Sequence, residues 1–126
     1  MTIDELEGVK LAEAVAEARG WKNHSGLWWK NGTEQSIEMV RDYRPDRDIA
    51  QSFELDESGW LWDRWEFHNG YDDNGPIVGL ATNVHVPGVD DTIKVRLNIN
   101  DFPTKANAYA TARCRAFLKA KEALDG

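Results

Sequence analysis

The sequence has one cysteine, no long apolar run and no secretory leader pattern. A single cysteine cannot form an internal disulfide, and Cys114 falls on the apolar face of a predicted helix. We therefore expect a buried free thiol in a reducing cytoplasm rather than a reactive one. No apolar run approaches the roughly 20 residues of a membrane span. The N-terminus, Met1 to Glu5, lacks the basic and apolar regions of a signal peptide. These absences predict a cytoplasmic protein with no membrane association.

Catalytic and metal-binding patterns are also missing. None of His24, His68 and His85 lies at short ligand spacing from another histidine or from the cysteine, so we expect no metal. The sequence contains no glycine-rich phosphate loop and no nucleophile motif. Asp63 and Glu66 fall on opposite faces of a regular strand, which disfavours a two-carboxylate active site. The sequence therefore predicts neither an enzyme nor a resident cofactor.

Charge narrows the class of ligand. The net charge is −7, so we expect no broad electrostatic contact with duplex nucleic acid. A small anionic ligand needs only two or three local cations. Arginines do cluster locally, at Arg41, Arg44 and Arg47 and again at Arg113 and Arg115. A small anion is therefore compatible with this sequence.

The first helix is predicted near the N-terminus of a single domain, residues 1–126. A hydrophobic content of 41% and a charged content of 29% are typical of one folded domain of this size. Thr2 and Glu5 form a capping-box pattern. The run from Leu6 to Arg19 is rich in Ala, Glu and Leu, which favour helix. Gly20 is placed to end this helix in the left-handed conformation.

The last helix is predicted over Thr104 to Leu124. Pro103 lies where its first turn begins, and Thr104 can cap it. At 3.6 residues per turn its apolar face is mostly small, so a sheet or a second helix can approach closely. That face comprises Ala106, Ala110, Cys114, Phe117 and Leu124, with Leu118 at its edge.

A hairpin and a short helix are predicted between these two helices. Asn31-Gly32 is a strong type I′ turn signal between Leu27–Lys30 and Thr33–Val40. Asp46 or Asp48 can cap a helix that runs through Glu57, with Ile49, Ala50 and Phe53 buried and Gly59 as terminator. A strand over Ser52 to Leu55 is the alternative.

Three strands follow. Trp60 to His68, Val78 to Val86 and Ile93 to Ile99 alternate in polarity or in side-chain size with period two. The last two should form a hairpin covered on one side. The whole chain therefore predicts an α+β fold, with an antiparallel sheet of about four to five strands sandwiched by helices and a long C-terminal helix.

Six tryptophans are many for this length, and the strand from Trp60 to His68 concentrates them. Trp60 and Trp62 fall on one face, and Trp65 and Phe67 on the other. One pair can stack a planar ligand such as a base, or fill a subunit interface. Helices covering both faces would equally account for the pattern.

Two arginines of the last helix are candidates for contact with an anion. Arg113 borders the apolar stripe of the helical wheel, whereas Arg115 faces away from it. A border arginine pairs either with a carboxylate inside the protein or with a ligand phosphate at a cleft. Both interpretations remain open at this point.

Several short segments lie in an order that resembles a known family. They are Ala14-Val15-Ala16 with Gly20-Trp21, Trp28 or Trp29 with Asn31-Gly32, residues 43–50 (YRPDRDIA) and residues 110–120 (ATARCRAFLKA). In these segments the chain resembles the phage "ABA sandwich" domain family of small phage and prophage proteins. The resemblance implies helices on both sides of one antiparallel sheet. The segment from Asn69 to Asp90 departs from the family, because it is longer and more polar.

Some small phage proteins of this build are anti-defence sponges, which bind the cyclic nucleotide signals of bacterial immunity without cleaving them. The resemblance therefore implies a non-enzymatic homo-oligomer in the host cytoplasm. It would sequester a cyclic ADP-ribose-like or cyclic oligonucleotide signal at a subunit interface. Trp62, Trp65 or Phe67 would stack bases, and Arg113 or Arg115 would contact phosphates. The alternative is a phage protein-interaction module that binds a host or virion protein.

Overall fold

The computed structural model describes residues 2–29, 36–55, 59–68 and 77–125, without the side chains of residues 36–38 and 77. In chain order its elements are α1 (Gly8–Ala18), β1 (Lys22–His24), β2 (Leu27–Trp29), β3 (Ser36–Met39), α2 (Ile49–Phe53), β4 (Leu61–His68), β5 (Ile77–His85), β6 (Ile93–Asn98) and α3 (Lys105–Asp125). Short 3-10 turns occupy Ile3–Glu5 and Ile99–Asp101. No helix within the described ranges is long and apolar enough to cross a membrane.

The larger sheet is the antiparallel meander β4-β5-β6. Arg64 lies opposite Thr82, and Thr82 lies opposite Val95 across the next pair of strands. Directly opposed residues share a face, so this row and its alternate neighbours face the same side. Leu80 and Val84 lie on that face and are fully buried. The core of the protein is therefore on this side of the sheet.

The long helix α3 packs on that face through a column of alanines. Ala108, Ala112, Ala116 and Ala120 recur every fourth residue and are fully buried, in one cluster with the sheet residues. Side chains four residues apart lie above one another on a helix, so the column forms one flat stripe. Alanine leaves no bulk between the helix and the strands, and the axis can approach closely.

The opposite side of α3 is also buried. Cys114 and Phe117 pack there with Leu11 and Val15 of α1, in a second cluster that includes Trp28 and other apolar residues. From Ala108 to Leu118 every residue of α3 is buried. The helix is thus an interior layer between the larger sheet and α1, and α2 contacts it at Tyr109 and Arg113.

The predicted α+β class with a long C-terminal helix is confirmed. The predicted number of strands is too large, since neither described sheet has more than three. The larger sheet is also not sandwiched by helices within the described part of the chain. One face meets α3, whereas the other exposes Leu61 (66%) and Trp65 (60%). The physical reason is that the helices stack on one another: α1 covers α3 rather than the second face of the sheet.

The predictions of helix ends are wrong at the start of α1 and confirmed at Gly20 and at the start of α2. The predicted capping box is wrong, because Thr2 makes no side-chain cap, Ile3–Glu5 is a 3-10 turn, and α1 begins only at Gly8. Gly20 does adopt the left-handed conformation, with φ of 86°. Asp48 caps α2 by accepting from Ala50 N and Gln51 N, so helix rather than strand is confirmed there.

The predicted buried face of α2 is confirmed only for Ile49, which is partly buried against the core. Ala50 and Phe53 are exposed, while Ser52 and the following Leu55 are buried. The predicted pairing around residues 31–32 is confirmed for β2 and β3, but the Asn31-Gly32 turn lies outside the described residues. An additional strand, β1, pairs with β2.

The alanine column allows a direct test of close packing. We expect Ala116→Leu to lower the free energy of unfolding by about 1–3 kcal/mol, because the added carbons have no space between α3 and the sheet. Ala123→Leu, on the exposed last turn, should change it by less than about 0.5 kcal/mol. Urea denaturation of both variants measures the difference. Equal losses would contradict the packing described here.

Candidate functional site

The five residues that the sequence nominates for ligand binding do not meet at one place. Trp62 and Arg113 lie together in the interior, and Arg115 lies on another side of α3. Trp65 and Phe67 lie on the face of the sheet turned away from α3. The structure therefore separates the predicted arginines from the predicted exposed rings.

Arg113 is an interior packing residue. It is 2% exposed, and its guanidinium carbon lies 4.1 Å from the centroid of the Trp62 ring. Its Nε donates to the main-chain oxygen of Ser52 at 3.2 Å. A cation over an indole face is favourable, and more so when water is excluded. Arg113 thereby ties α2 and β4 to α3.

Arg115 points to another part of the interior. Two residues along a helix correspond to a rotation of about 200°, so its side chain leaves α3 roughly opposite to Arg113. It is 8% exposed, and its Nε donates to the main-chain oxygen of Leu6 at 3.1 Å. We assign both arginines to packing, since their guanidinium groups are buried on different sides of one helix.

We call the side of the larger sheet turned away from α3 the open face. It carries Leu61, Asp63, Trp65 and Phe67 from β4, Gly79, Ala81 and Asn83 from β5, and Lys94, Arg96 and Asn98 from β6. The central strand thus contributes the smaller side chains, one edge strand the rings, and the other edge strand the cations. A shallow trough with one aromatic wall and one polar, cationic wall results.

At the Phe67 end of this trough lies a hollow of about 430 Å³, which we call the open-face hollow. The Arg96 guanidinium carbon lies 4.3 Å from the centroid of the Phe67 ring. A Cβ placed on Gly79 would lie 3.4 Å from Phe67 Cδ2, so the ring already packs down onto the glycine. Described residues lining the hollow are Phe67, Val78, Gly79, Arg96, Leu97, Asn98 and Asn100.

Arg96 is the cation best placed to meet a ligand. It is exposed, and among the described residues it forms no ion pair. Stacking on Phe67 restrains the guanidinium and leaves its N–H groups available for a phosphate or carbonyl oxygen. With Lys94, Arg96 gives this face two positive charges, against the one negative charge of Asp63. The open face is therefore locally cationic in an acidic protein.

Other hollows suit an anionic planar ligand less well. The larger ones, near the end of α3, contain Lys119 already paired with Asp4 at 2.8 Å, or the carboxylates of Glu122 and Asp125. A fourth, of about 390 Å³, is mostly apolar and has no aromatic residue among its described lining. Among these hollows, as far as their described lining goes, the open-face hollow is the one that joins an aromatic ring to a cation.

Two buried titratable groups lie in the core between α1 and α3. Burial raises the pKa of the Cys114 thiol well above its usual value, which keeps it protonated and unreactive. Burial also raises the pKa of Tyr43 to about 12, against the hydrogen bond that Arg19 Nη1 donates to its oxygen at 2.8 Å. Arg19 lies 4.3 Å over the ring of Trp21. These groups stabilise the fold and do not form a reactive centre.

Sequence reasoning missed Arg96, Asn98 and the small residues beneath them. The alternation in β6 predicts that one of its sides is covered, but it does not show which residues of other strands lie beside Arg96. With the three strands in register, Trp65, Ala81 and Arg96 form one row across the sheet and lie on the same face. No group of three or more His, Cys, Asp or Glu side chains suitable for a metal occurs within the described ranges.

Comparisons with protein-family models, with curated proteins and with solved structures give no match to this chain. The likeness to small phage proteins therefore stays a prediction from the sequence. Arguments about function rest on the open face itself.

The buried Tyr43 predicts an alkaline loss of stability. In the unfolded chain a tyrosine ionises near pH 10, whereas in the folded protein Tyr43 ionises near pH 12. Its contribution is therefore constant below about pH 10 and is lost between about pH 10 and 12, by about 2–3 kcal/mol. Tyr43→Phe should flatten the fall by that amount in urea titrations across this range. An identical pH dependence in both proteins would refute the assignment.

Proposed function

We propose that this chain is a non-catalytic binding protein that holds a nucleotide-derived signal of the cyclic ADP-ribose or cyclic oligonucleotide type on its open face. The observation that carries the proposal is the stack of Arg96 on Phe67 at 4.3 Å, beside the exposed Trp65. Rings match the bases of such a ligand, and the guanidinium matches its phosphates. The resemblance adds the setting: a phage protein in the host cytoplasm that counters host defence by sequestration.

The magnitudes favour a ligand that uses both rings. One stacked base contributes about 1–3 kcal/mol, and one charge-assisted hydrogen bond about 1.5–3 kcal/mol. Together these fall short of the roughly 8 kcal/mol of micromolar affinity. Trp65 and Phe67 are two residues apart on one strand face, about 6.6 Å along it. A ligand with two planar groups, or one planar group between the rings, would make up the difference.

Retention without cleavage is supported by the side chains around the open-face hollow. They offer a ring, a guanidinium and the amides of Asn98 and Asn100. No carboxylate, thiol or imidazole occurs among its described lining residues, so none of them can serve as general base or nucleophile. The thiol of Cys114 lies in the core on the far side of the sheet.

A protein-interaction module is the second candidate, and Leu61 favours it. Leu61 is 66% exposed on the same face as Trp65 and Phe67. An exposed aliphatic side chain beside two rings is typical of a surface that contacts protein. A nucleotide in the open-face hollow would leave Leu61 uncovered.

Ligand binding is tested by titrating the purified protein with a panel of cyclic nucleotide signals, followed by calorimetry and tryptophan fluorescence. We expect one class to bind and to be recovered intact by mass spectrometry after heating. Arg96→Ala should weaken that binding about 10- to 100-fold, the loss of one charge-assisted contact. Arg41→Ala, which removes an exposed arginine outside the larger sheet, should leave it unchanged.

Two results would count against this function. Flat traces across the panel would exclude the ligand class, and equal effects of Arg96→Ala and Arg41→Ala would exclude the site. A stoichiometric protein partner captured from infected cells, lost with Leu61→Asp but retained with Arg96→Ala, would favour the interaction module instead.

A further inference from the structure

Strand β4 is an edge of the larger sheet. It has eight residues, contains neither proline nor glycine, and within the described part of the chain it pairs only with β5. An edge strand presents unpaired N–H and C=O groups to any second strand. Natural edges are usually short or carry proline or a covering element. β4 is about 26 Å long and exposes Leu61 and Trp65.

Pairing of two β4 strands is restricted by geometry. Two copies can pair about a two-fold axis perpendicular to the sheet. Directly opposed residues of an antiparallel pair point to the same face, so one residue of β4 must lie opposite its own copy at the axis. An axis at Asp63 would oppose two aspartates, one at Arg64 two arginines, and one at Glu66 two glutamates. Like charges directly opposed are destabilising. Among the four central positions this leaves Trp65.

With Trp65 at the axis, the residues on either side of it also form favourable cross-strand pairs. It places Arg64 opposite the partner's Glu66, and by symmetry repeats that pair on the other side of the axis. The hydrogen bond from Lys105 Nζ at 2.9 Å lowers the pKa of Glu66, so its carboxylate is charged at neutral pH. Arg64 is about half exposed and Glu66 about a fifth, and within one chain their charged groups lie 3.9 Å apart. Glu66 also pairs with Lys105 at 2.9 Å, so the partner's Arg64 would join an existing ion-pair network at this edge. Opposite charges and paired aromatics each stabilise cross-strand positions.

The β6 edge is less favourable for self-pairing. An axis at Val95 would place Lys94 opposite the partner's Arg96 twice, and axes at Lys94 or Arg96 would oppose like cations. An axis at Leu97 avoids like charges but pairs only three residues of each strand and brings no opposite charges together. The edges of the smaller sheet, β1 and β3, have three and four residues. Among the described edge strands, β4 is therefore the most favourable site for self-association by strand pairing.

From these constraints we infer that two copies of this chain pair antiparallel through their β4 edges, with Trp65 at the two-fold axis. The product is one continuous six-stranded sheet with both open faces on the same side. The two Trp65 side chains meet at its centre, where opposed Cβ atoms lie about 4.5–5.5 Å apart. The inference rests on strand geometry and charge, and does not depend on the proposed ligand.

Cross-linking tests the register. Trp65→Cys should give a disulfide-linked dimer under mild oxidation, because the two introduced thiols face each other. Leu61→Cys is the matched control on the same face of the same strand. Its two copies would lie eight residues apart, about 26 Å, and should not cross-link. The native Cys114 is fully buried and contributes no link.

Sedimentation of the full chain tests the charges. We expect a concentration-dependent wild-type dimer that Arg64→Glu weakens at least about 10-fold in Kd. Arg41→Glu, the same charge reversal at an exposed arginine outside the larger sheet, should have no effect. A monomer at every concentration, an equal yield of cross-link from both cysteine variants, or a dimer indifferent to Arg64→Glu would overturn the inference. Ligand titrations of Arg96→Ala report on the open-face hollow separately, because β6 lies outside the paired edge.

Discussion

The structure depends on one packing constraint: α3 is buried on two opposite sides along most of its length. The alanine column fixes the distance to the sheet, and Phe117 and Cys114 fix the contact with α1. Both contacts need a helix without bulk on its sheet side. Any arginine in this stretch is then desolvated and must find an acceptor inside the protein. The carbonyls of Ser52 and Leu6 are among those acceptors, which explains why Arg113 and Arg115 are structural.

An interior helix leaves the larger sheet with one covered face. The helices that could have covered the second face are stacked on α3 instead. Strand β4 is rich in aromatics on both sides, so its inner tryptophans join the core and its outer rings meet solvent. Trp62 packs against Arg113, whereas Trp65 is 60% exposed. The same sequence pattern therefore serves stability on one face and supplies a binding surface on the other.

Periodicity predicted the strands of the larger sheet and the approximate bounds of α3, because alternation and helix formers are local signals. The predicted apolar face of α3 is only partly right, since Ala106 and Leu124 are exposed and the alanine column that meets the sheet was not predicted. β1 was not predicted, since Lys22, Asn23 and His24 have no apolar alternation and their strand is defined by pairing with β2. The sequence could not decide which face of β4 is covered, because both carry large rings. Burial of Arg115 was equally out of reach, as it depends on a main-chain carbonyl 109 residues away. The site itself needed the register of three strands at once.

The charge distribution of the protein favours a small anionic ligand on the open face over a long polyanion. A protein of net charge −7 repels an extended polyanion over its whole surface, and a few cations do not offset this along many phosphates. A ligand with one to three phosphates lies within a Debye length, about 8 Å at physiological salt, of Arg96 and Lys94. It therefore experiences the local cations more than the distant acidic surface. Joining two sheets at β4 would leave the two β6 strands at the outer edges of the six-stranded sheet, five strand spacings or about 24 Å apart. The two pairs of cations would then be separated by more than a Debye length, so each pair would attract its own compact, multiply charged ligand.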